Sequence, residues 1–312
     1  MTLRTAVLIA TLLASPAQTP RDRPTPVAPP PSRLLVSVAW LQQHLHDRDL
    51  VILHVGDPQQ FSAGHIPGAR AVKLGDISVS DTSGSNHTML QMPPADGLKQ
   101  RLEALGISDR SAIVVYAAQQ YYTPATRVLL TLDYAGLGDR ASILDGGLDA
   151  WKKGALPLET GDVSMPARGT LSSLKIRPFI VDAAYVNTHI SAPGFAIVDA
   201  RNRGFYDGVM VGGGGGMAQH LKGHIAGARS IPFTEVWTDS SFAQSPTVLR
   251  SLFAKAGVAP TDTVVAYCHI GQQATSVIFA ARLIGQPFRF YDGSFEDWSR
   301  QPNAKVETAP RP

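Results

Sequence analysis

The sequence predicts an α/β protein of two similar halves, each with a mostly parallel sheet flanked by helices. The first observation is an internal repeat, because four short blocks of residues 33–160 recur in the same order within residues 179–309. The second is that short β-branched runs alternate with helical patterns in each half. Such alternation is typical of parallel sheets with helices on both faces. At 312 residues, the chain is long enough for two domains.

The repeat is clearest in two glycine-containing blocks. Residues 145–151 read DGGLDAW, and residues 292–298 read DGSFEDW. Residues 64–69 read GHIPGA, and residues 223–228 read GHIAGA. Two apolar blocks complete the repeat, 51–55 with 196–200 and 113–116 with 264–267. His65, His224, Trp151 and Trp298 recur at equivalent places, so we expect structural roles for them.

Strands and helices are placed by their residue patterns. Four runs are apolar and β-branched, as buried parallel strands are: 50–55, 112–116, 195–200 and 263–267. Residues 94–105 carry leucines on one helical face and are followed by Gly106. Residues 248–256 do the same and are followed by Gly257, so both stretches are predicted helices. Residues 161–178 are polar and are predicted to link the halves.

The N-terminal residues predict export. Arg4 precedes a short apolar run, 6–14, and the small residues 15–17 offer a cleavage site after Ala17. Residues 1–17 are therefore a predicted signal peptide, and residues 18–32 a Pro-rich, disordered spacer. The alternative is an uncleaved anchor, although the apolar run is too short for an ordinary transmembrane helix. We expect a secreted or periplasmic protein with no stable membrane span after cleavage.

Charge and cysteine content restrict the partners. The net charge is only +3, and no run of Lys and Arg resembles a phosphate-binding stripe, so nucleic acid is excluded as a partner. The chain has a single cysteine, Cys268, so it forms no internal disulfide. A lone cysteine in an exported protein is either buried and inert or a working thiol. Its surroundings decide between these alternatives.

Cys268 is predicted to lie on a strand-to-helix turn. A strand ends at Tyr267 and a helix begins near Ala274, so the cysteine lies at the carboxyl end of a parallel strand. The loop amides and the helix N-terminus there favour an anion, and hence a nucleophilic thiolate. Gly271 permits the tight turn. A cysteine that merely packs at a strand end is the alternative. The predicted loop comprises Cys268, His269, Ile270, Gly271, Gln272 and Gln273.

Together, the GHI-x-GA blocks, the DG-x-x-x-x-W blocks and the single cysteine-headed loop resemble the tandem rhodanese family. The resemblance covers roughly residues 33–308. It implies a catalytic C-terminal half and an inactive N-terminal half. It also implies a sulfurtransferase in which the cysteine takes the outer sulfur of thiosulfate or 3-mercaptopyruvate as a persulfide. The acceptor is then a small thiophile such as cyanide, or a thiol that could belong to a protein. No cofactor and no metal are expected.

The two halves differ at three positions that are expected to face one site. Any one of the three differences alone would mean little. Together they fit a protein in which one half is a scaffold and the other half is catalytic. The pairs, first half before second, are Ala117 with Cys268, His54 with Asp199, and Gly56 with Arg201.

The resemblance also implies roles for three charged residues. An Asp at the position of Asp199 organises the active loop in the family, and nearby arginines, here Arg201 and Arg203, hold the anionic donor. This chain departs from the family at one point: a basic residue that is important in thiosulfate sulfurtransferases would fall near Phe205 here, and Arg203 is the nearest substitute. Structural salt bridges are the alternative for the arginines.

The choice of donor and two rival functions follow from the same loop. In the family, thiosulfate-type loops often carry two basic residues after the cysteine, and mercaptopyruvate-type loops carry Gly-Ser-Gly. The loop of this chain matches neither type. Because it lacks the serine of the mercaptopyruvate type, we expect thiosulfate as the sulfur donor. His269 could act as a cation or as a hydrogen-bond donor.

A phosphatase or arsenate reductase would need an arginine that binds the oxyanion, and residues 273–275 contain none. A non-catalytic sulfur-relay module remains open. The run Gly212–Gly216 is either a flexible lid or a neutral insertion.

Overall fold

A computed structural model describes residues 34–81, 88–119, 122–161, 167–213, 219–238 and 243–308. The predicted signal peptide and Pro-rich spacer lie outside these ranges, as do residues 214–216 of the glycine run. Among the helices within the ranges, none is long and apolar enough to cross a membrane.

The N-terminal half is built around a five-stranded parallel sheet in the order β1-β7-β6-β2-β3, with a separate antiparallel pair, β4 and β5. Its strands are β1 Leu35–Val36, β2 Leu50–Val55, β3 Arg70–Val72, β4 Val79–Asp81, β5 Thr88–Gln91, β6 Ala112–Ala117 and β7 Ala141–Leu144. Its helices are α1 Val38–His44, α2 Pro58–Ala63, α3 Ala95–Ala104, α4 Thr123–Tyr134 and α5 Gly147–Lys153.

The C-terminal half repeats this sheet with the same parallel order, β8-β13-β12-β9-β11. Its strands are β8 Ile180–Val181, β9 Phe195–Asp199, β10 His224–Ile225, β11 Arg229–Ser230, β12 Thr263–Tyr267, β13 Phe288–Tyr291 and β14 Val306–Glu307, with β10 and β14 antiparallel. Its helices are α6 Ala183–His189, α7 Arg203–Tyr206, α8 Pro246–Lys255, α9 Ala274–Leu283 and α10 Ser294–Trp298.

The predicted α/β class and its duplicated arrangement are confirmed by these two sheets. Strands β2 and β12 begin and end at the predicted residues, and the other predicted strands and helices differ from their predicted bounds by one or two residues. Helix α8, for example, begins two residues earlier than predicted, because Ser245 caps it through a hydrogen bond from the Val248 amide (3.3 Å) and Pro246 occupies its first turn.

The two halves share a packed interface between α4 and α9. Thr126 Oγ1 lies 2.7 Å from Thr275 Oγ1 and 3.1 Å from Ser276 Oγ. Leu130 of α4 belongs to the apolar core of the C-terminal half, and Phe279 of α9 belongs to that of the N-terminal half. Helix α9, which follows the predicted cysteine loop, is therefore held by both halves.

The segment between the halves packs along the N-terminal half. The Gly169 amide donates to the Glu103 carbonyl (2.8 Å), and the Leu171 amide donates to Glu103 Oε1 (3.0 Å). Leu171 is buried, and Arg177 pairs with the buried Asp133. The described part of this segment is thus tied to α3 and α4.

The repeated histidines make equivalent contacts in the two halves. His65 Nδ1 lies 2.9 Å from the Phe61 carbonyl oxygen, and its ring stacks on that phenylalanine. His224 Nδ1 lies 2.7 Å from the Tyr206 carbonyl oxygen, and its ring stacks on that tyrosine. Both rings are buried, which fits a structural role.

The repeated tryptophans are also packed in the same way. Trp151 Nε1 donates to the Pro157 carbonyl (2.8 Å), and Trp298 Nε1 donates to the Lys305 carbonyl (3.2 Å). Both side chains are almost fully buried. Each therefore anchors the chain that follows its DG-x-x-x-x-W block.

Candidate active site

Cys268 directly follows β12, the central strand of the C-terminal sheet. Strand β12 lies between β9 and β13, so its carboxyl end is at the middle of the sheet edge. The next residues form an irregular loop, and α9 begins at Ala274. The cysteine is 1% exposed, so the thiol is enclosed in this structure.

The start of the loop is held by the N-terminal end of α10. The Cys268 amide donates to Ser294 Oγ (3.2 Å). The amides of Phe295 and Glu296 donate to the carbonyls of Cys268 (2.9 Å) and His269 (3.0 Å). The second DG-x-x-x-x-W block thus fixes the backbone that carries the thiol.

Gly271 shapes the tight turn, as predicted from the sequence. Its φ is +81°, in the left-handed region. A Cβ there would lie 2.8 Å from the Asp292 carbonyl oxygen and 3.1 Å from its Oδ1. Only glycine therefore fits both the backbone angle and the space.

Arg127 of α4 reaches across the interface to the same turn. Its side chain is fully buried, and Nη1 donates to Asp292 Oδ1 (2.8 Å) and to the Gly271 carbonyl (3.2 Å). Nη2 donates to the Leu90 carbonyl. The N-terminal half thus positions the loop of the C-terminal half. The sequence signal was that Arg127 is the only basic residue of α4.

The substitution Arg127→Lys is expected to lower the free energy of unfolding by about 1.5–3 kcal/mol. Lysine keeps the charge but loses the planar fork that reaches several acceptors at once. We also expect a lower kcat, since the turn at Gly271 loses a support. Urea unfolding and steady-state kinetics measure both effects. Arg110→Lys, at a side chain 75% exposed, is the matched control and should change neither.

Asp199 and Arg201 form a buried ion pair at the end of β9. Arg201 Nε lies 3.0 and 3.1 Å from the two Asp199 carboxylate oxygens, and Nη2 lies 2.6 Å from Oδ2. The two residues are 0% and 1% exposed. Burial lowers the pKa of Arg201, but Asp199, Tyr267 and Cys268 raise it, with a net increase. Asp199 is therefore the main charge partner of Arg201, and Cys268 contributes least to the increase.

Tyr267 connects this ion pair to the strand that carries Cys268. Its hydroxyl donates to Asp199 Oδ2 (2.7 Å) and accepts from the Ile225 amide (3.0 Å). Burial and the nearby Asp199 raise the pKa of Tyr267 well above its usual value, so it remains a donor. Asp199 thus holds the side chain of Tyr267, the residue directly before Cys268, by a hydrogen bond.

The N-terminal half has the same arrangement without the charges. The Tyr116 hydroxyl accepts from the Ile66 amide (3.1 Å) and lies 2.8 Å from His54 Nδ1. In the strand registers, His54 pairs with Tyr116 as Asp199 pairs with Tyr267. The differences noted in the sequence therefore fall at equivalent places, where Ala117 corresponds to Cys268.

Arg203, the third predicted charged residue, points elsewhere. It is exposed at the start of α7, and its guanidinium lies 5.6 Å from the Tyr206 ring centre. It lines a surface cavity with Arg229 and Lys255. The structure therefore brings Asp199 and Arg201 to the Cys268 strand and places Arg203 at a separate surface.

His269 is covered by Phe205 of α7 and by residues from the long connection that follows this helix. Its Nδ1 lies 3.3 Å from His220 Nδ1, and its ring meets Phe205 edge to face at 4.5 Å. A Cβ on Gly212 would lie 2.7 Å from His269 Nδ1 and 2.6 Å from His220 Nδ1. Gly212, the first glycine of the run, therefore permits a close approach to both rings. His220 was not singled out in the sequence.

Burial keeps three histidines of the chain neutral. It lowers the pKa of His269 to about 3, with further contributions from Arg201 and His220. It lowers the pKa of His220 to about 4, with contributions from Arg201 and Arg300, and that of His54 to about 4. Of the two roles predicted for His269, the structure supports the hydrogen-bonding one and not the cationic one.

The stability of the protein is expected to decrease as the pH falls below 6.5. In the unfolded chain, His54 and His220 bind protons below that pH. In the folded protein, both histidines stay unprotonated until the pH falls to about 4. The free energy of unfolding should fall by up to about 2 kcal/mol per histidine between pH 6.5 and about 5. Urea unfolding across this range measures the slope. His54→Gln should reduce it, and a flat profile would contradict the assignment.

The remaining loop side chains contact the protein rather than open solvent. Gln272 Nε2 donates to Thr123 Oγ1 of the N-terminal half (2.8 Å). Gln273 Oε1 is buried and has no hydrogen-bond partner among the described residues. Ile270 is half-buried. In the described part of the chain, no group of three or more His, Cys, Asp or Glu residues could hold a metal ion.

Comparison with known proteins identifies the class. The family model for the rhodanese-like domain matches residues 37–154 and again residues 182–301. The chain therefore belongs to the rhodanese-like family. It is 30% identical to a probable 3-mercaptopyruvate sulfurtransferase of Pseudomonas aeruginosa over 89% of this chain and 99% of the relative.

Other relatives support the same enzyme class. The chain is 31% identical to human 3-mercaptopyruvate sulfurtransferase over 77% of this chain and 78% of the relative. It is 28% identical to thiosulfate sulfurtransferase of Cricetulus griseus over 86% of this chain and 93% of the relative. The fold matches that of SseA, a 3-mercaptopyruvate sulfotransferase of Escherichia coli, with a TM-score of 0.72 at 24% identity over 84% of this chain and 98% of SseA. The protein is an enzyme of the sulfurtransferase class.

Proposed function

We propose that Cys268 carries sulfur as a persulfide from thiosulfate to a thiophilic acceptor, and that the C-terminal half is the catalytic one. The observation that carries this proposal is the placement of the chain's only cysteine. It follows the central strand, its backbone is fixed by α10, and the residue before it, Tyr267, donates to the buried Asp199 of the Asp199–Arg201 pair. Ala117 occupies the equivalent place in the other half, so that half has no nucleophile there.

The transfer takes place in two displacements. The Cys268 thiolate attacks the outer sulfur of thiosulfate, so that a new S–S bond forms and the bond to the sulfonate sulfur breaks. Sulfite leaves with the electron pair, and the enzyme holds an anionic persulfide. Cyanide then attacks the outer sulfur and leaves as thiocyanate, which regenerates the thiolate. Charge is conserved in each step, and no external oxidant is needed.

A second donor, 3-mercaptopyruvate, is favoured by the names of the relatives. The Pseudomonas and human proteins are both named for this donor. Attack on its thiol sulfur would expel the enolate of pyruvate, which then takes the proton left on the persulfide.

The enclosure of the thiol bears on the acceptor. Cys268 is 1% exposed, so a small acceptor such as cyanide requires less opening of the site than a protein thiol does. A sulfur-relay module that binds sulfur without turnover is the alternative function. Multiple turnovers with a small acceptor distinguish the enzyme from such a module.

Steady-state release of thiocyanate tests the proposal. Purified protein is given cyanide with either thiosulfate or 3-mercaptopyruvate, and kcat/KM is compared between the donors. The proposal expects turnover with thiosulfate at the higher kcat/KM. A higher value for 3-mercaptopyruvate would replace the donor, and a single turnover with both donors would favour the relay module.

We further propose that the protein is exported to a secreted or periplasmic location. The proposal rests on the residue pattern around Arg4 and residues 6–14. N-terminal sequencing of the protein recovered from an exporting cell tests it. A mature chain that begins at Gln18 is expected, whereas an intact N-terminus on cytoplasmic protein would overturn the proposal.

A further inference from the structure

Arg300 carries an unused cationic group close to the candidate active site. It lies two residues after the Trp298 that ends α10. Both terminal nitrogens, Nη1 and Nη2, are shielded from solvent, and neither has a hydrogen-bond partner among the described residues. A guanidinium that is removed from water without a partner is costly, so a missing anionic partner is indicated.

The carboxylate of Asp297, three residues before Arg300, already accepts hydrogen bonds from other side chains. Asp297 Oδ2 accepts from the Tyr291 hydroxyl (2.7 Å), and Oδ1 accepts from Gln301 Nε2 (2.9 Å). These bonds leave that carboxylate occupied by neutral donors. The Asp297 carboxylate therefore offers no hydrogen bond to the side chain of Arg300, whose two terminal nitrogens have no partner among the described residues.

His220 presents a second unused group beside Arg300. The residue is 4% exposed, and its Nε2 is buried with no partner within the described ranges. The Leu221 amide donates to Ser299 Oγ (3.0 Å), which brings the residue after His220 against the residue before Arg300. Arg300 also contributes to the lowered pKa of His220, as expected for a nearby cation.

The same histidine leads to the cysteine loop. His220 Nδ1 lies 3.3 Å from the Nδ1 of His269, the residue after Cys268. With both rings neutral, one Nδ1 donates and the other accepts. When His269 is the donor, His220 carries its proton on Nε2 and offers that N–H, beside Arg300, to an acceptor.

We propose that Arg300 and His220 form an oxyanion subsite that binds the charged end of the sulfur donor. The ligand chemistry is an oxyanion group, either the sulfonate of thiosulfate or the carboxylate of 3-mercaptopyruvate. Arg300 supplies charge-assisted hydrogen bonds, and His220 supplies a neutral donor. The inference rests on the proposed function, because it assigns the binding of that function's substrate.

Binding to an inactive protein tests the subsite separately from sulfur transfer. Isothermal titration of the Cys268→Ser protein measures the Kd for thiosulfate and for 3-mercaptopyruvate. Adding Arg300→Gln should raise the Kd about tenfold or more, and adding His220→Gln should raise it less. Arg300→Lys should recover part of the affinity. Arg250→Gln, an exposed arginine of α8, is the matched control and should leave the Kd unchanged.

Each outcome decides the proposal. Effects on both donors support a shared oxyanion subsite, and an effect on one donor identifies which oxyanion it binds. An unchanged Kd in both the Arg300→Gln and His220→Gln proteins, or no binding to the Cys268→Ser protein, would overturn it. Failure of the proposed function is recognised independently, because the wild-type protein would then acquire no sulfur from either donor.

Discussion

Replacing Cys268 with serine is expected to lower the rate of sulfur transfer by about 10⁴-fold or more, because the hydroxyl cannot hold a transferable sulfur. The fold should be retained, since serine fits the same space and the backbone contacts to α10 do not involve the thiol. Thiocyanate release measures the rate, and urea unfolding confirms the folded state.

The N-terminal half offers a matched control for this loss. In the Cys268→Ser protein, a second change, Ala117→Cys, places a thiol at the equivalent point of the other sheet. We expect no recovery of activity, because His54 and Gly56 replace the Asp199–Arg201 pair there. Recovered turnover would contradict the assignment of catalysis to the C-terminal half.

The substitution Arg201→Leu is expected to lower the free energy of unfolding by about 3–5 kcal/mol. It leaves Asp199, which is fully buried, without its cation. The lost contacts include the hydrogen bond from Nη2 to the Gly223 carbonyl (2.7 Å) and the packing of the guanidinium 4.0 Å from the Phe295 ring centre. Urea unfolding measures the change.

A double substitution separates the lost pair from the unpaired charge. Asp199→Asn combined with Arg201→Leu removes both charges, and its amide can still accept from the Tyr267 hydroxyl. The double variant should be more stable than Arg201→Leu alone, by more than about 1 kcal/mol. A double variant as unstable as the sum of the two single variants would show that the buried charge is not the cause.

The fold was predictable because its signals are local and duplicated. The central strands were found from β-branched runs, and the repeat fixed which strand of one half corresponds to which strand of the other. The order of strands within each sheet depends on pairing between distant segments, which the periodicity of one strand does not determine. Helix starts also depend on single caps such as Ser245.

The candidate site was predictable only where its residues lie at or just after the end of a recognisable strand. Cys268, Gly271 and the strand-end pair Asp199 and Arg201 follow recognisable strands. Arg127 reaches the loop from the other half, and it is a contact that only the packing of α4 on α9 creates. His220 lies in a connection that is longer than its first-half counterpart, so the repeat gave no guide to it, and only the folded chain brings Leu221 against Ser299, the neighbour of Arg300.

Intact mass spectrometry of the reduced protein after incubation with thiosulfate tests the persulfide most directly. The account predicts a gain of one sulfur atom per chain, on the peptide that contains Cys268. Cyanide should remove it and release an equal amount of thiocyanate. No gain on the wild-type protein, or an equal gain on Cys268→Ala, would contradict the account.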